Sequence, residues 1–489
     1  MLQQLDAAES VRREVASRTA QKHKSELGQF MTPSSVARFM AGMFPPSPLE
    51  TCRLLDPGAG VGALSCAFLD RWVAGGFGFK VVETTAYEVD ERLRGHLKQH
   101  LAAYRKVKAE VIAGDYIELA TAEHQLVKRY THAILNPPYK KINSNSAHRL
   151  ALRSVGIETV NLYSAFVALA VAQAAPGGQI VAIIPRSFCN GPYYRPFRNF
   201  IMERAAIRHM HLFESRNKAF KDDEVLQENI IIRLERSGQQ GPVTITTSTD
   251  DSFTDLATNE HPFDRIVFPV DPERFIHVPT TTEKSAIELS PAVRYSLADL
   301  GIKVSTGPVV DFRLKEHLRD MPVEGTVPLI YPGHLSITGA VWPVPGLKKP
   351  NAIMRNAETE KWLYPNGFYC AVRRFSSKEE KRRVVASLVD PVAFGDHSVL
   401  GFENHMNLFH QNKRGLPELL ARGLAVFLNT SAVDESFRRF NGHTQVNATD
   451  LKLMKYPSRE ALIELGEWAK QHSEITQEMI DEQLGKLTA

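Results

Sequence analysis

From residue 53 onward, short apolar runs alternate with longer stretches whose apolar residues recur at helical spacing. The short runs read as strands and the periodic stretches as helices. Strands are expected at 53–56, 80–89, 110–113, 132–135 and 179–184, with two last strands at 206–213 and 229–234. Helices are expected between them, at 61–73, 90–104 and 161–175. This alternation predicts a parallel sheet covered by helices. Gly177-Gly178 and Pro185 punctuate the fifth strand on either side. Ahead of the sheet, residues 1–27 read as a polar amphipathic helix ended by Gly28. Residues 34–43 read as a second helix started by Thr32-Pro33.

The pattern fades after Ser237. Residues 238–295 are rich in Thr, Ser, Asp and Pro, with one further strand pattern at 243–247. From about residue 297, short apolar runs are separated by Pro, Gly and basic residues, as in Val341-Trp342-Pro343-Val344-Pro345-Gly346. That composition predicts a second, irregular and β-rich domain. Helices at 417–427 and 459–487 close the chain. The expected division is an N-terminal helical segment at 1–27, a catalytic domain at 28–295 and a second domain at 296–489.

Composition narrows this picture only slightly. The chain has 489 residues, which calls for two or three cores. Hydrophobic content of 43% and charged content of 23% are ordinary for a soluble protein. No apolar run approaches the ~18 residues of a membrane span, and the first residues lack the order of a secretory signal. Cys52, Cys66, Cys189 and Cys370 are scattered, without metal spacing or a disulfide framework. A reduced, cytoplasmic protein without structural zinc or other metal is expected. The net charge of +4 permits a polyanionic partner without requiring one.

The candidate chemistry lies where strands end. Ligands of open α/β sheets bind beyond the carboxyl ends of the strands. Asn136-Pro137-Pro138-Tyr139 follows the apolar run Ala133-Ile134-Leu135. The prolines stop the ladder and fix an extended turn. The tetrapeptide thus offers an amide oxygen, a rigid carbonyl and an aromatic face, which suit a planar amine-bearing ring. An ordinary proline turn would account for it equally well if it stood alone.

It does not stand alone. Asp56-Pro57-Gly58-Ala59-Gly60-Val61-Gly62 joins the first strand to a helix, and its glycines let backbone approach a ligand closely. Asp56 would oppose a pyrophosphate and suits a cationic ligand better, such as S-adenosylmethionine. Glu88 ends the next strand, where a carboxylate can accept from both ribose hydroxyls. Asp115 ends the third, where it can accept from an adenine amine, with Tyr116 or Ile117 against the ring. Asp56, Glu88, Asp115 and Asn136 thus mark four consecutive strand ends.

In this order the motifs resemble those of the gamma-class DNA adenine-N6 methyltransferases of restriction–modification systems. Gln29-Phe30-Met31-Thr32-Pro33 is similar to that family's N-terminal cofactor motif, Asp56 to Gly62 to its glycine motif, and Asn136 to Tyr139 to its catalytic motif. Asn161-Leu162-Tyr163-Ser164-Ala165-Phe166 is similar to the helix motif that follows. Phe220, with Asn229-Ile230-Ile231-Ile232 beyond it, resembles the motif with a second aromatic. The specific match covers about residues 25–236. Further on, Gly442-His443-Thr444-Gln445-Val446-Asn447 and Lys455-Tyr456-Pro457 match more loosely.

The resemblance implies a Rossmann-like fold with a mostly parallel seven-stranded sheet and a C-terminal, β-rich target-recognition domain. It implies S-adenosylmethionine held by Phe30, Thr32, Asp56, Gly58, Gly60, Glu88, Asp115, Tyr116 and Asn136. It implies that Asn136, Pro137, Pro138 and Tyr139 are catalytic, and that Tyr139 and Phe220 stack on an adenine flipped from duplex DNA. A separate restriction endonuclease and a monomeric enzyme are also expected. Arg373, Arg374, Lys378, Lys413, Arg414, His443, Gln445 and Asn447 are candidates for DNA contact. Other methyl acceptors remain open at this point: cytosine-N4 in DNA, an RNA guanine or a protein glutamine. So does a non-catalytic DNA-binding protein on a degenerate methyltransferase fold.

Overall fold

A computed structural model describes residues 4–18, 31–122, 129–214, 228–269, 271–282, 287, 290–336, 339–376, 380–441 and 445–488. The chain divides into two compact units, residues 1–282 and 283–489. The division thus follows Thr282 rather than residue 295.

The first unit opens with α1 (Gln4–Arg18) and α2 (Ser34–Gly42). Then come β1 (Thr51–Pro57), α3 (Ala63–Val73), β2 (Val81–Glu88), α4 (Glu91–Ala102), β3 (Val107–Ala113) and α5 (Tyr116–Thr121). They are followed by β4 (Tyr130–Leu135), α6 (Ala147–Ser154), α7 (Leu162–Gln173), β5 (Ala174–Pro185) and α8 (Arg195–Arg204). β6 (Ala205–Phe213), β7 (Asn229–Arg236), β8 (Val243–Ser248) and β9 (Ala257–His261) complete the sheet.

Its strand order is β3-β2-β1-β4-β5-β7-β6-β8-β9. β1 to β5 pair in parallel, and β7 runs antiparallel between β5 and β6. The order reverses between β1 and β4, and that reversal opens a crevice at their carboxyl ends.

The sheet has nine strands where seven were expected. β8 pairs with β6, and β9 with β8. β9 was not anticipated, whereas the strand pattern expected at 243–247 is β8 (Val243–Ser248). β-branched threonine suits a strand, and here the polar groups are paired. Thr246 Oγ1 lies 2.9 Å from His209 Nε2 and 3.0 Å from His211 Nδ1.

Side-chain alternation along the central strands feeds two cores. On β4, Ala133 and Leu135 join the core beneath α5 and α7, while Ile134 joins the core that includes residues of α1 to α4. α1 contributes Leu5 and Ala8 to the second core, and its buried Arg12 is matched by Glu9 at 2.8 Å. α7 is buried almost all round, and Asn161 caps it by accepting from Tyr163 N at 3.3 Å.

The second unit holds a four-stranded antiparallel sheet in the order Lys303–Thr306, Met406–His410, Tyr369–Arg373, Ala386–Val389. A five-stranded sheet built around Thr326–Ile330 and a short two-stranded one accompany it. Helix Glu418–Leu428 crosses helix Arg459–Lys470 at very close range. A Cβ on Gly423 would meet Leu462 O at 1.7 Å, and one on Gly466 would meet Leu419 O at 1.9 Å. Only glycine fits at either position. The single final helix expected over 459–487 is two helices, because Gln477–Thr488 starts afresh after Thr476. All four cysteines are free and buried. No helix among the described residues is long and apolar enough to cross a membrane.

Candidate active site

The loop after β1 turns through three glycines with positive φ, Gly58 at 75°, Gly60 at 57° and Gly62 at 91°. The end of β2 holds it in place. Gly58 N and Ala59 N each donate to Tyr87 O at 2.9 Å, and Gly60 N donates to Glu88 Oε2 at 2.8 Å. The other Glu88 oxygen accepts from Asp90 N at 2.8 Å. Burial pushes the Glu88 carboxyl above its ordinary pKa, and these two amides oppose the shift. Each oxygen keeps a second acceptor site for a ligand hydroxyl.

Asp56 is not where charge reasoning put it. It is fully buried and absent from the cavity wall, and Oδ2 accepts from Ser65 Oγ at 2.6 Å. Burial pushes its carboxyl up to about 7, with Ser65 pulling the other way and Glu88 adding to the rise. Asp56 therefore braces the glycine loop against α3 and does not face a cationic ligand. The side chain on β1 alternates inward at this position, a fact set by pairing register that no spacing motif reveals.

Asp115 caps α5. Its Oδ1 accepts from Ile117 N at 2.8 Å and Glu118 N at 3.1 Å, and Oδ2 lies 3.2 Å from His148 Nε2. His148 was not anticipated. It lies on α6, far along the chain from Asp115, so no local pattern couples the two. Tyr116 sits under the pocket, edge-on to Tyr87 with ring centroids 5.0 Å apart and tilted against Phe166 at 5.1 Å. Its hydroxyl donates to Gln173 Oε1 at 2.7 Å.

The turn after β4 carries the tetrapeptide. Asn136 Nδ2 donates to Thr32 Oγ1 at 3.0 Å, and the Tyr139 hydroxyl donates to Asn136 Oδ1 at 3.2 Å. The same hydroxyl lies 3.4 Å from Ile183 O on β5. The Tyr139 ring meets Tyr163 edge-on at 6.2 Å, and Tyr163 stacks on Tyr194 at 5.6 Å. Two backbone bonds tie the following segment to the start of α7, Leu162 N to Lys140 O and Ile142 N to Val160 O, each 2.8 Å.

These groups surround one cavity of about 240 Å³, whose wall includes Met31, Thr32, Gly60, Glu88, Asp115 and Asn136. Gly58, Tyr116 and Pro138 also line it, as do Phe166, the last residue of the helix motif, and Lys140, which sequence reasoning did not single out. The donor set fits a nucleoside cofactor. A carboxylate with spare acceptor sites ends β2, another carboxylate follows β3, and apolar side chains with a glycine cradle lie between them.

Phe30, Phe220, Lys378 and His443 lie outside the described residues. In the second unit, Lys413 and Arg414 are exposed on a turn where Asn412 and Lys413 have positive φ. Arg373 is paired with Glu380. Arg374 donates to Asn404 O and to Gln445 Oε1, both at 3.2 Å. Asn447 forms a capping box with Asp450. Nearby basic residues differ in exposure: Lys381 is exposed, and Arg373, Arg374 and Arg382 are half-buried. Arg383 is buried against Ser376 and Asn441, and Arg382 donates to Thr430 O at 2.7 Å.

A family model described as Eco57I restriction-modification methylase matches residues 93–220. The chain is 54% identical over 478 residues to the type II methyltransferase M.BsuBI of Bacillus subtilis, covering 95% of both chains. It is 43% identical over 488 residues to the type II methyltransferase M.PstI of Providencia stuartii, covering 97% of this chain and 95% of the relative. Among solved structures, the DrdV–DNA complex aligns at a TM-score of 0.51 and 12% identity, covering 96% of this chain and 59% of that one. MmeI in complex with DNA aligns at 0.50 and 9% identity, covering 99% and 73%. Both show a shared fold.

Proposed function

This chain belongs to the type II methyltransferases of restriction–modification systems, and from that premise we propose that it methylates the exocyclic N6 of a specific adenine in duplex DNA. The cofactor is S-adenosylmethionine. One observation carries the adenine reading. Asn136, whose amide oxygen accepts from the Tyr139 hydroxyl at 3.2 Å and can exchange that donor for an amino hydrogen, stands on the wall of the cavity that also holds Glu88 and Asp115.

When bound, the cofactor supplies an electrophilic sulfonium methyl group. The chain's own residues must make the amine nucleophilic. Adenine's amine is a poor nucleophile because its lone pair is delocalised into the ring. Asn136 Oδ1 and the Pro137 carbonyl each accept one amino hydrogen, which draws the nitrogen towards pyramidal geometry. Acceptors placed where positive charge develops favour the transition state over the ground state. Glu88 accepts from the ribose hydroxyls, and Asp115 lies at the position expected for the adenine end of the cofactor.

A base inside the duplex cannot reach this site, so the target is flipped out. Tyr139 stacks on one face of it and Phe220 on the other. Stacking of ~1–3 kcal/mol per base is comparable to the cost of unstacking. The second unit reads the surrounding sequence, with Lys413, Arg414, Arg373 and Arg374 among its candidate DNA contacts. The enzyme works as a cytoplasmic monomer and protects host DNA from a separate endonuclease.

Expression in a methylation-deficient host, followed by modification-sensitive sequencing, tests this directly. N6-methyladenine in one recurrent motif is expected. N4-methylcytosine, or methyl transfer to RNA or protein alone, would overturn the adenine assignment.

A further inference from the structure

Thr32 and Asn136 are 104 positions apart, yet Thr32 Oγ1 lies 3.0 Å from Asn136 Nδ2 and accepts its hydrogen bond. Thr32 is 5% exposed and stands with Met31 on the wall of the cofactor cavity. The segment that carries it leads directly into α2, whose Val36, Ala37, Met40 and Ala41 are buried. Ala37 N donates to Pro33 O at 2.9 Å, so the first turn of α2 begins immediately after Thr32. The hydroxyl is therefore held by a packed helix.

The chemistry of an asparagine amide makes such a hold consequential. Its terminal torsion is soft and broad, and its two ends have opposite hydrogen-bonding character. With the oxygen turned to the target, the amide accepts an amino hydrogen. Rotated by half a turn, it presents N–H groups to N–H groups. Thr32 holds the nitrogen end, and Tyr139 meets the oxygen end at 3.2 Å.

We propose that Thr32 is a positioning residue for methyl transfer, locking the Asn136 amide with its oxygen towards the target amine from a place on the cofactor wall. This rests on the adenine-methyltransferase reading above. It assigns Thr32 a role distinct from holding the cofactor, because its recorded side-chain bond is to Asn136.

Single-turnover methylation by Thr32→Val and Thr32→Ser, at saturating S-adenosylmethionine and cognate duplex, tests the assignment. Valine keeps the shape and removes the hydroxyl, whereas serine keeps the hydroxyl. Thr32→Val is expected to lose roughly tenfold in the methyl-transfer rate. Its cofactor Kd should stay within about threefold of wild type, and Thr32→Ser should recover most of the rate. A Thr32→Val rate equal to wild type would overturn the proposal. A defect that appears only when the assay is repeated below cofactor saturation would also overturn it, because Thr32 would then be only a cofactor ligand. A Thr32→Ser rate as low as that of Thr32→Val would exclude the hydroxyl as the acting group. Wild-type protein that methylates no adenine would instead refute the functional reading, before any variant is compared.

Discussion

The Tyr139 hydroxyl donates to Asn136 Oδ1 at 3.2 Å and lies 3.4 Å from Ile183 O. The oxygen proposed to accept a hydrogen of the target amine is thus already engaged by a donor of the same chain. A base entering the site exchanges one hydrogen bond for another rather than meeting a bare acceptor. The net cost of engaging the amide is therefore small, since an exchange of partners is worth far less than a lost bond.

Tyr139→Phe keeps the ring and removes the hydroxyl, so base capture should persist. Tyr139→Ala loses base stacking of ~1–3 kcal/mol, roughly ten- to a hundredfold in the population of the flipped state. A 2-aminopurine at the target position reports this by fluorescence. Equal signals from both variants would contradict the stacking role.

Asn136→Ala removes the side-chain acceptor but not the wall of the cavity. The methyl-transfer rate should fall by ~100-fold or more. The cofactor Kd, measured by calorimetry, should change much less.

Glu88 is the joint between the glycine loop and the second strand, through Gly60 N at 2.8 Å and Asp90 N at 2.8 Å. Glu88→Ala should weaken cofactor binding by roughly ten- to a hundredfold, because hydrogen bonds to a charged group are worth ~1.5–3 kcal/mol. A cofactor analogue lacking the ribose hydroxyls should lose little further affinity in this variant.

The Asp115–His148 contact predicts a pH dependence. The hydrogen bond to Asp115 raises the His148 pKa above its usual value, against the effect of burial. Burial alone would raise Asp115, but His148 and the backbone N–H groups of Glu118 and Ile117 carry it below its ordinary value. The histidine contribution is complete below about pH 6.5 and is lost as pH rises through its raised folded pKa. The aspartate contribution is present above about pH 3.9 and is lost as pH falls through its lowered one. His148→Gln should therefore differ from wild type in thermal midpoint chiefly between those two values. The difference should be under ~1 kcal/mol, because both side chains are nearly a third exposed.

Asp56 behaves in the opposite sense to a paired carboxylate. Its folded pKa is raised to about 7, mainly by burial, so its favourable contribution is present at low pH and lost as pH rises through that value. Asp56→Asn keeps an oxygen for Ser65 and cannot ionise. Its stability advantage over wild type should grow from about pH 4 and level off above about pH 7. An advantage independent of pH would show that Asp56 is not buried as a titrating acid.

Much of this site was legible because its chemistry is local. Glycines with positive φ, a carboxylate ending β2 and an Asn-Pro-Pro-Tyr turn after β4 follow from residue type and from the alternation of strands with helices. The order of those strand ends along the chain also pointed to the cofactor. What the chain order did not carry were partners distant in sequence. Asp56 turns inward to Ser65, His148 reaches Asp115, and Thr32 grips Asn136. Arg374 was a candidate for DNA contact, yet it donates to Asn404 O and Gln445 Oε1. β9 escaped notice because its mostly polar, exposed run Ala257–His261 has no apolar alternation and is ordered by pairing with β8.

By itself, then, the sequence determined the central strands of the first unit and the kind of group at each strand end, because backbone propensity and turn chemistry act over a few residues. Tertiary structure alone decided which of those groups faces the cavity and which braces it. That choice depends on strand register and on packing between segments a hundred positions apart, as between Thr32 and Asn136.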